Sequence, residues 1–427
     1  MAQSNIFMSY PWVALLNQMS TSGLAAEAQR LRFSYKRLLA TQRLSHADMF
    51  ASRVKSERSV VHLLRGLVGL FLTFFQFRSK LGSQVYIFHD SRLLPYCSAV
   101  DPENCILLGS HVERQNASAN GYRFLWGFPI TSAVNVLIYW RSKVIFELQI
   151  YIWQLLLGRL DKLIILTYED TQQIGEFFVT LYRLFPKKIL LVCVQHGYYV
   201  QTSSRVIVDG DRSPVNFVID GAQVACFNNR RSKFKEIGLP YCSFWQTPSI
   251  REVVYVGCGD SGKLPDGRDP LEQLLFYFKD LDESIQDATE LLTVYRPHPS
   301  ELDGGIRPGF FRQFFDRYDR SKKEELLSGS RKIFIGAYST LLYEAGVAGH
   351  VVIYVDPCIN HIQPLFLRHL DVKLGNVSAV SEYVKRIIVS DAVSVSLLYP
   401  SVGLISNPVG KFQNALSELG CKLSASV

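Results

Sequence analysis

The chain has 427 residues, 48% of them apolar and 20% charged, with a formal net charge of +8. This composition excludes a disordered or fibrous chain, and the length exceeds one compact core, so two domains of roughly 200 residues each are expected. The positive balance favours an anionic partner such as a nucleotide or a phospholipid surface, while the lack of basic tracts interleaved with aromatics, or of zinc-finger or basic-zipper spacing, argues against nucleic acid.

The opening MAQSNIFMSYPWVALLNQ has no basic segment ahead of an apolar one, so no secretory signal is read there and a cytoplasmic location is expected. Residues 1–80 are expected to be helical, because LAAEAQRLRFSYKRLLATQRL repeats apolar residues at three- and four-residue steps without proline. Residues 30–65 carry nine Lys and Arg against Asp48 and Glu57. The apolar run that follows, VVHLLRGLVGLFLTFFQF, is interrupted by His62 and Arg65 and is no membrane span. Two readings stand for it: a core helix with a solvated basic neighbour, or a helix lying on the anionic inner face of a cytoplasmic membrane.

From residue 85 the pattern changes. VYIFHD and CILLGS read as short strands, and ITSAVNVLIYWRSKVIFELQIYIWQLLLGRL as a long helical stretch broken once. A regular alternation follows: strand KLIILTYED, helix TQQIGEFFVTLYRLFP, strand KKILLVCVQHG, strand region VNFVIDGAQVACFNN and helix RRSKFKEIGLP ending at Gly238. PYCSFWQTPS reads as a linker. The alternation then restarts with strand REVVYVGCGD, helix DPLEQLLFYFKDLDESIQDA, strand ELLTVYRPHP, helix GFFRQFFDRYDRSKKEELLSGS, strand RKIFIGA, helix STLLYEAGVAG and strand HVVIYVDP. Continuously apolar strands alternating with helices predict parallel sheets covered on both faces. The expected architecture is α/β: residues 1–245 as a Rossmann-like domain with a helical N-terminal segment, 246–404 as a second one, and 405–427 as a tail packing back on the first. The eight cysteines form no CxxC pair and several lie in apolar runs, as free core thiols of a reducing cytosol do. The sequon at Asn116 then carries no glycan.

Ligands of doubly wound sheets bind at the carboxyl ends of the strands. Three strand ends stand out: Glu169-Asp170, Gln195-His196-Gly197, and Arg296-Pro297-His298-Pro299. Prolines on both sides hold His298 in place and stop its strand. Ser339 and Thr340 lie between strand IFI and helix LLYEAG, where they cap a helix and also offer hydroxyls and N–H groups to a phosphate. His298 lies 41 residues before Ser339, an expected one strand over, where it could donate to a phosphate oxygen. Glu344 follows one turn on as a candidate for ribose hydroxyls, with Glu324 and Glu325 as alternatives. Glu169, Asp170, His196 and Asp260, the last in VGCGDSG, stay open as base or nucleophile.

An "HP" dipeptide followed some forty residues later by a Ser/Thr pair ahead of an "EA" helix resembles the GT-B glycosyltransferases of bacterial surfaces, namely sialyltransferases and Kdo transferases. It is also similar to the CDP-glycerol-dependent teichoic-acid polymerases. "QHG", at Gln195, His196 and Gly197, resembles a motif of capsule and surface-polysaccharide transferases. The resemblance spans residues 160–360. It implies a cytidine nucleotide held by His298, Ser339 and Thr340, with Arg296 alongside. It implies a CMP-linked sugar donor as substrate, with no cofactor or metal, and a glycan or lipid-linked glycan as acceptor. The acidic pair departs from the sialyltransferase pattern, since Thr171 stands where that pattern has glycine. A sugar-nucleotide epimerase and a non-catalytic scaffold share the same fold expectations.

Overall fold

The computed structural model describes Ala26 and residues 60–76, 82–139, 144–170, 173–195, 210–227, 229, 231–238, 247–257, 270–298, 301, 315, 317–337, 339–355, 373–389 and 407–423. The N-terminal helical expectation is met at α1 (Val60–Gln76); most of the rest of residues 1–80 lies outside the described residues.

The first half is built on seven parallel strands: β1 (Gln84–His89), β2 (Cys105–Gly109), β3 (Arg123–Trp126), β4 (Lys162–Thr167), β5 (Ile189–Val194), β6 (Val215–Val218) and β7 (Lys233–Glu236). Their order is β3-β2-β1-β4-β5-β6-β7. Side chains alternate across this sheet. Val85, Ile87, Leu163, Ile165 and Leu191 face the aromatic cluster of Phe146, Trp153 and Phe177. That cluster comes from α4 (Val144–Leu157) and α5 (Gln173–Leu184), with α3 (Phe128–Tyr139) beside them. Tyr86, Phe88 and Phe217 face the other way, onto α10 (Pro408–Glu418) at the C-terminal end. There Phe412 stacks on Tyr96 at 4.4 Å and meets Phe217 edge-on at 5.5 Å. Lys162 Nζ donates to the Leu419 carbonyl at 3.1 Å, and Lys235 pairs with Glu418.

The second half holds β8 (Thr247–Val256), β9 (Leu292–Arg296), β10 (Ser330–Gly336), β11 (Val351–Val355) and β12 (Lys373–Leu374), in the parallel order β12-β11-β10-β8-β9. One face carries α6 (Pro270–Gln286) and α9 (Val377–Val389); the other carries α7 (Lys323–Leu327) and α8 (Thr340–Val347). Ile219, one residue past β6, is buried among Val254, Val256, Phe334 and Leu342, so the two halves share apolar packing there. Cys97, Cys105, Cys193 and Cys421 are buried free thiols.

Three expectations are corrected. RRSKFKEIGLP is no helix: Lys233–Glu236 pairs in parallel with β6 as an edge strand. Its charged side chains face solvent at an edge that would otherwise attract another chain, while Phe234 stacks against Phe227. Residues 317–322 are not helical either. Tyr318 forms a parallel bridge to Tyr295, and only Lys323–Leu327 coils. Thr247–Ser249, read as linker, already belong to β8. The strand reading passed over β3, α9 and α2 (His111–Ala119). The last opens on a capping box in which the Ser110 hydroxyl and the Glu113 carboxylate satisfy each other's backbone N–H groups.

Candidate functional site

In the second sheet the chain reverses direction of growth between β8 and β10, which opens a crevice at their carboxyl ends. Arg296, Val256 and Gly336 lie in register across β9, β8 and β10. His298 and Ser339 are thus not neighbours one strand apart, as the sequence suggests. β8 runs between them, and two strand spacings separate the ends of β9 and β10 by roughly 10 Å. Gly257 ends β8 under His298. A Cβ there would sit 2.5 Å from Glu301 Oε1, 2.6 Å from the Tyr295 hydroxyl and 3.0 Å from the His298 nitrogen. Only glycine lets the turn after β9 close this far.

That turn is fastened from both ends. The Tyr295 hydroxyl donates to Glu301 Oε2 at 2.7 Å, and the Glu301 N–H donates to the His298 carbonyl at 2.9 Å. The residue is exposed to solvent, yet desolvation by its surroundings holds the imidazole pKa below its ordinary value. On the far side of β8, Ser339 is the N-cap of α8, its hydroxyl accepting from the Leu341 N–H at 3.3 Å, and Thr340 is the first helical residue. The positive end of this helix faces the end of the sheet.

The other second-half candidates are occupied elsewhere. Arg296 Nη1 donates to Asp319 Oδ2 at 3.0 Å and to the Ser321 carbonyl at 2.7 Å, so it holds the 317–322 loop. Glu344 is buried and ion-paired with Lys323 Nζ at 2.9 Å. Burial raises its pKa against the pull of Lys323. Glu324 and Glu325 start the short α7, where Glu325 is exposed. Asp260 lies outside the described residues.

The acidic pair after β4 also turns inward. Asp170 is fully buried; Oδ1 accepts from the Gly210 N–H, and Oδ2 from the Arg212 N–H and the Ser213 hydroxyl, all at 2.9 Å. A carboxylate with three donors and no solvent is a scaffold anchor, which corrects its reading as a cleft base. Glu169 is buried, and its backbone is held by the Thr167 hydroxyl. Gln195, after β5, accepts from the Ile219 N–H at 2.9 Å and donates to Gln223. Its amide therefore joins two strand ends. His196 lies outside the described residues.

A second concavity escaped the sequence reading. The carboxyl ends of β1, β2 and β3 border a cavity of about 920 Å³, with α1 as one wall. His89, Asp90, Ser110 and Glu113 supply polar lining, and Trp126 and Phe128 aromatic lining. His89 Nδ1 lies 3.0 Å from the Thr167 hydroxyl, and the ring stacks on Tyr168 at 5.3 Å. Burial, aided by Arg92 and opposed by Asp90 and Glu113, drives its pKa down to about 4. Burial would raise the Glu113 carboxyl, but hydrogen bonds from Ser110 and Ser91 outweigh it and hold the pKa below the ordinary value.

Asp90 has φ 83 and ψ 153, a region that side chains other than glycine's avoid, and its carboxylate accepts from the Arg92 N–H at 3.0 Å. Such strain concentrates at functional sites. The signal was available: His89-Asp90 ends VYIFHD, and the boundary between β1 and β4 is where the first sheet reverses its order. Among the described residues, no group of three or more His, Cys, Asp or Glu side chains could hold a metal ion.

No family model matches the sequence, and no curated protein matches it. Solved structures do. The UDP-GlcNAc 2-epimerase from Neisseria meningitidis, bound to UDP-GlcNAc, is 12% identical, with 78% of this chain and 98% of that one covered and a TM-score of 0.51. A putative UDP-N-acetylglucosamine 2-epimerase from Listeria monocytogenes is 12% identical, with 79% and 97% covered and a TM-score of 0.50. The wall teichoic acid polymerase TagF is 10% identical, with 91% and 96% covered and a TM-score of 0.45. At these identities the likeness defines the fold, which is GT-B: two Rossmann-like domains.

Proposed function

We propose that this chain is a glycosyltransferase that binds a nucleotide sugar in the second-domain crevice and passes the sugar to a glycan on the first-domain side. The observation that carries this reading is the in-register row Arg296–Val256–Gly336, which sets His298 and the Ser339–Thr340 helix start on either side of Gly257. His298 donates to one side of the donor phosphate. The hydroxyls of Ser339 and Thr340, with the N–H groups of α8, take the other side. Held in place before the reaction, these donors stabilise the charge that builds on the departing nucleotide. The first-domain cavity offers the acceptor an uncharged imidazole, His89, together with the aromatic faces of Trp126 and Phe128. The resemblance of the His-Pro and Ser-Thr motifs supports a CMP donor carrying a sialic- or Kdo-type acid, used in surface polysaccharide, capsule or lipopolysaccharide assembly.

A second reading, a sugar-nucleotide epimerase, is favoured by one specific observation: both structures with TM-scores of 0.50 or above are UDP-GlcNAc 2-epimerases. An epimerase needs no acceptor, so the 920 Å³ first-domain cavity favours transfer. A thermal-shift panel of CMP, CDP, UDP and GDP, with and without Mg²⁺, separates the readings. Selective stabilisation by CMP supports the transferase, and CDP in its place supports phosphoglycerol transfer. Stabilisation by UDP alone supports the epimerase, and no response to any nucleotide contradicts both.

A further inference from the structure

Helix α1 is packed inside out. Leu64, Leu67, Val68 and Phe71 recur at the i, i+3, i+4, i+7 spacing that normally faces a core. Here they are 58%, 44%, 55% and 68% exposed. The buried face is made of small residues. A Cβ on Gly66 would lie 3.2 Å from Ile145, and one on Gly69 would lie 2.6 Å from Pro129. Thr73 is buried, donates to the Gly69 carbonyl at 2.8 Å and accepts from Gln149 at 3.2 Å. The glycines let α1 sit close on the helices beneath it, and its large apolar side chains point into solvent. Exposing such a stripe is unfavourable unless something covers it.

We propose that this stripe is a docking surface for an anionic phospholipid bilayer. The charge beside it selects that occupant. Residues 30–65, which run into α1, hold nine Lys and Arg against two acids, and Arg65 is exposed on the flank of the stripe. A basic approach beside an apolar helical face is the pattern of helices that lie in the headgroup region. Among the described residues, no helix is long and apolar enough to cross a membrane, so α1 lies along the surface. Leu64 and Val68 also border the first-domain cavity. A glycan acceptor anchored by a lipid in the same leaflet would meet that cavity from the membrane side. That last step rests on the transferase reading; the docking itself does not.

The test uses the full chain in vesicle co-sedimentation. The wild type is expected to sediment with equimolar phosphatidylcholine–phosphatidylglycerol vesicles, more weakly with phosphatidylcholine alone, and less as salt rises. The Leu67→Glu/Phe71→Glu variant should keep its melting temperature and its nucleotide response, and should lose at least about tenfold in partition coefficient. Leu67→Ser/Phe71→Ser repeats the measurement without added charge. A wild type that stays in the supernatant overturns the proposal, as does a variant that binds vesicles like the wild type. A variant with lowered melting temperature overturns it too, because the stripe would then be packed against the chain's own residues. A wild-type dimer by light scattering that the variant abolishes, without any vesicle binding, assigns the stripe to a second copy instead.

Discussion

Two strand ends of the same chain carry charged or titratable side chains to opposite fates. After β4, Asp170 is fully buried and spends its carboxylate on Gly210, Arg212 and Ser213. After β9, His298 stands exposed on a turn that Tyr295 and Glu301 hold down. The first residue ties a distant loop to the sheet. The second has a rigid backbone and an accessible side chain, the combination expected of a group that meets a ligand. A polar residue at a strand end is therefore no site by position alone; what decides is whether the chain's own donors and acceptors exhaust it.

Substitutions can break this contrast. The largest effect is expected from Asp170→Ala, which leaves three donors buried without their acceptor. It should cost about 4 kcal/mol in chemical denaturation. A loss below about 1 kcal/mol would show that the carboxylate is not the anchor described.

Next comes acid. His89 and His350 are both buried, with pKa values lowered to about 4 from 6.5. The unfolded chain takes up their protons first, so their stabilisation is complete above pH 6.5 and drains as pH falls toward 4. Each contributes about 3 kcal/mol across that window. The unfolding free energy of His350→Asn, measured against pH, should fall less steeply there than that of the wild type.

A smaller effect is expected at Lys323→Met, which strips the buried Glu344 of its cation. Because Lys323 is partly exposed, about 2 kcal/mol is expected, shrinking below the raised pKa of Glu344 as the carboxyl protonates. The smallest effect on stability belongs to His298→Ala, within about 0.5 kcal/mol.

Much of the fold is legible in the sequence, because strands covered on both faces are written as unbroken apolar runs: VYIFH, LIILT, ILLVCV, VVYV, KIFIG and VVIYV. Edges are harder. KFKE alternates charge and aromatic as an exposed edge does, but with Gly238 after it the segment reads as a capped helix; Gly238, at φ 78, instead follows an edge strand. The crevice of His298 and Ser339 was legible because proline and a helix start mark strand ends locally. The fate of Asp170 was not, since its partners lie some forty residues on. Nor was the orientation of α1. Its composition announces an apolar helix, but only packing decides that Gly66 and Gly69 go in while Leu67 and Phe71 stay out.

The central claim is that His298 and the Ser339–Thr340 helix start together hold the phosphate of a nucleotide. Calorimetric titration of CMP into the wild type and His298→Ala, both shown to be folded, tests it most directly. The account predicts measurable binding by the wild type and at least about a tenfold weaker dissociation constant for the variant. Equal affinity in the two proteins would contradict it.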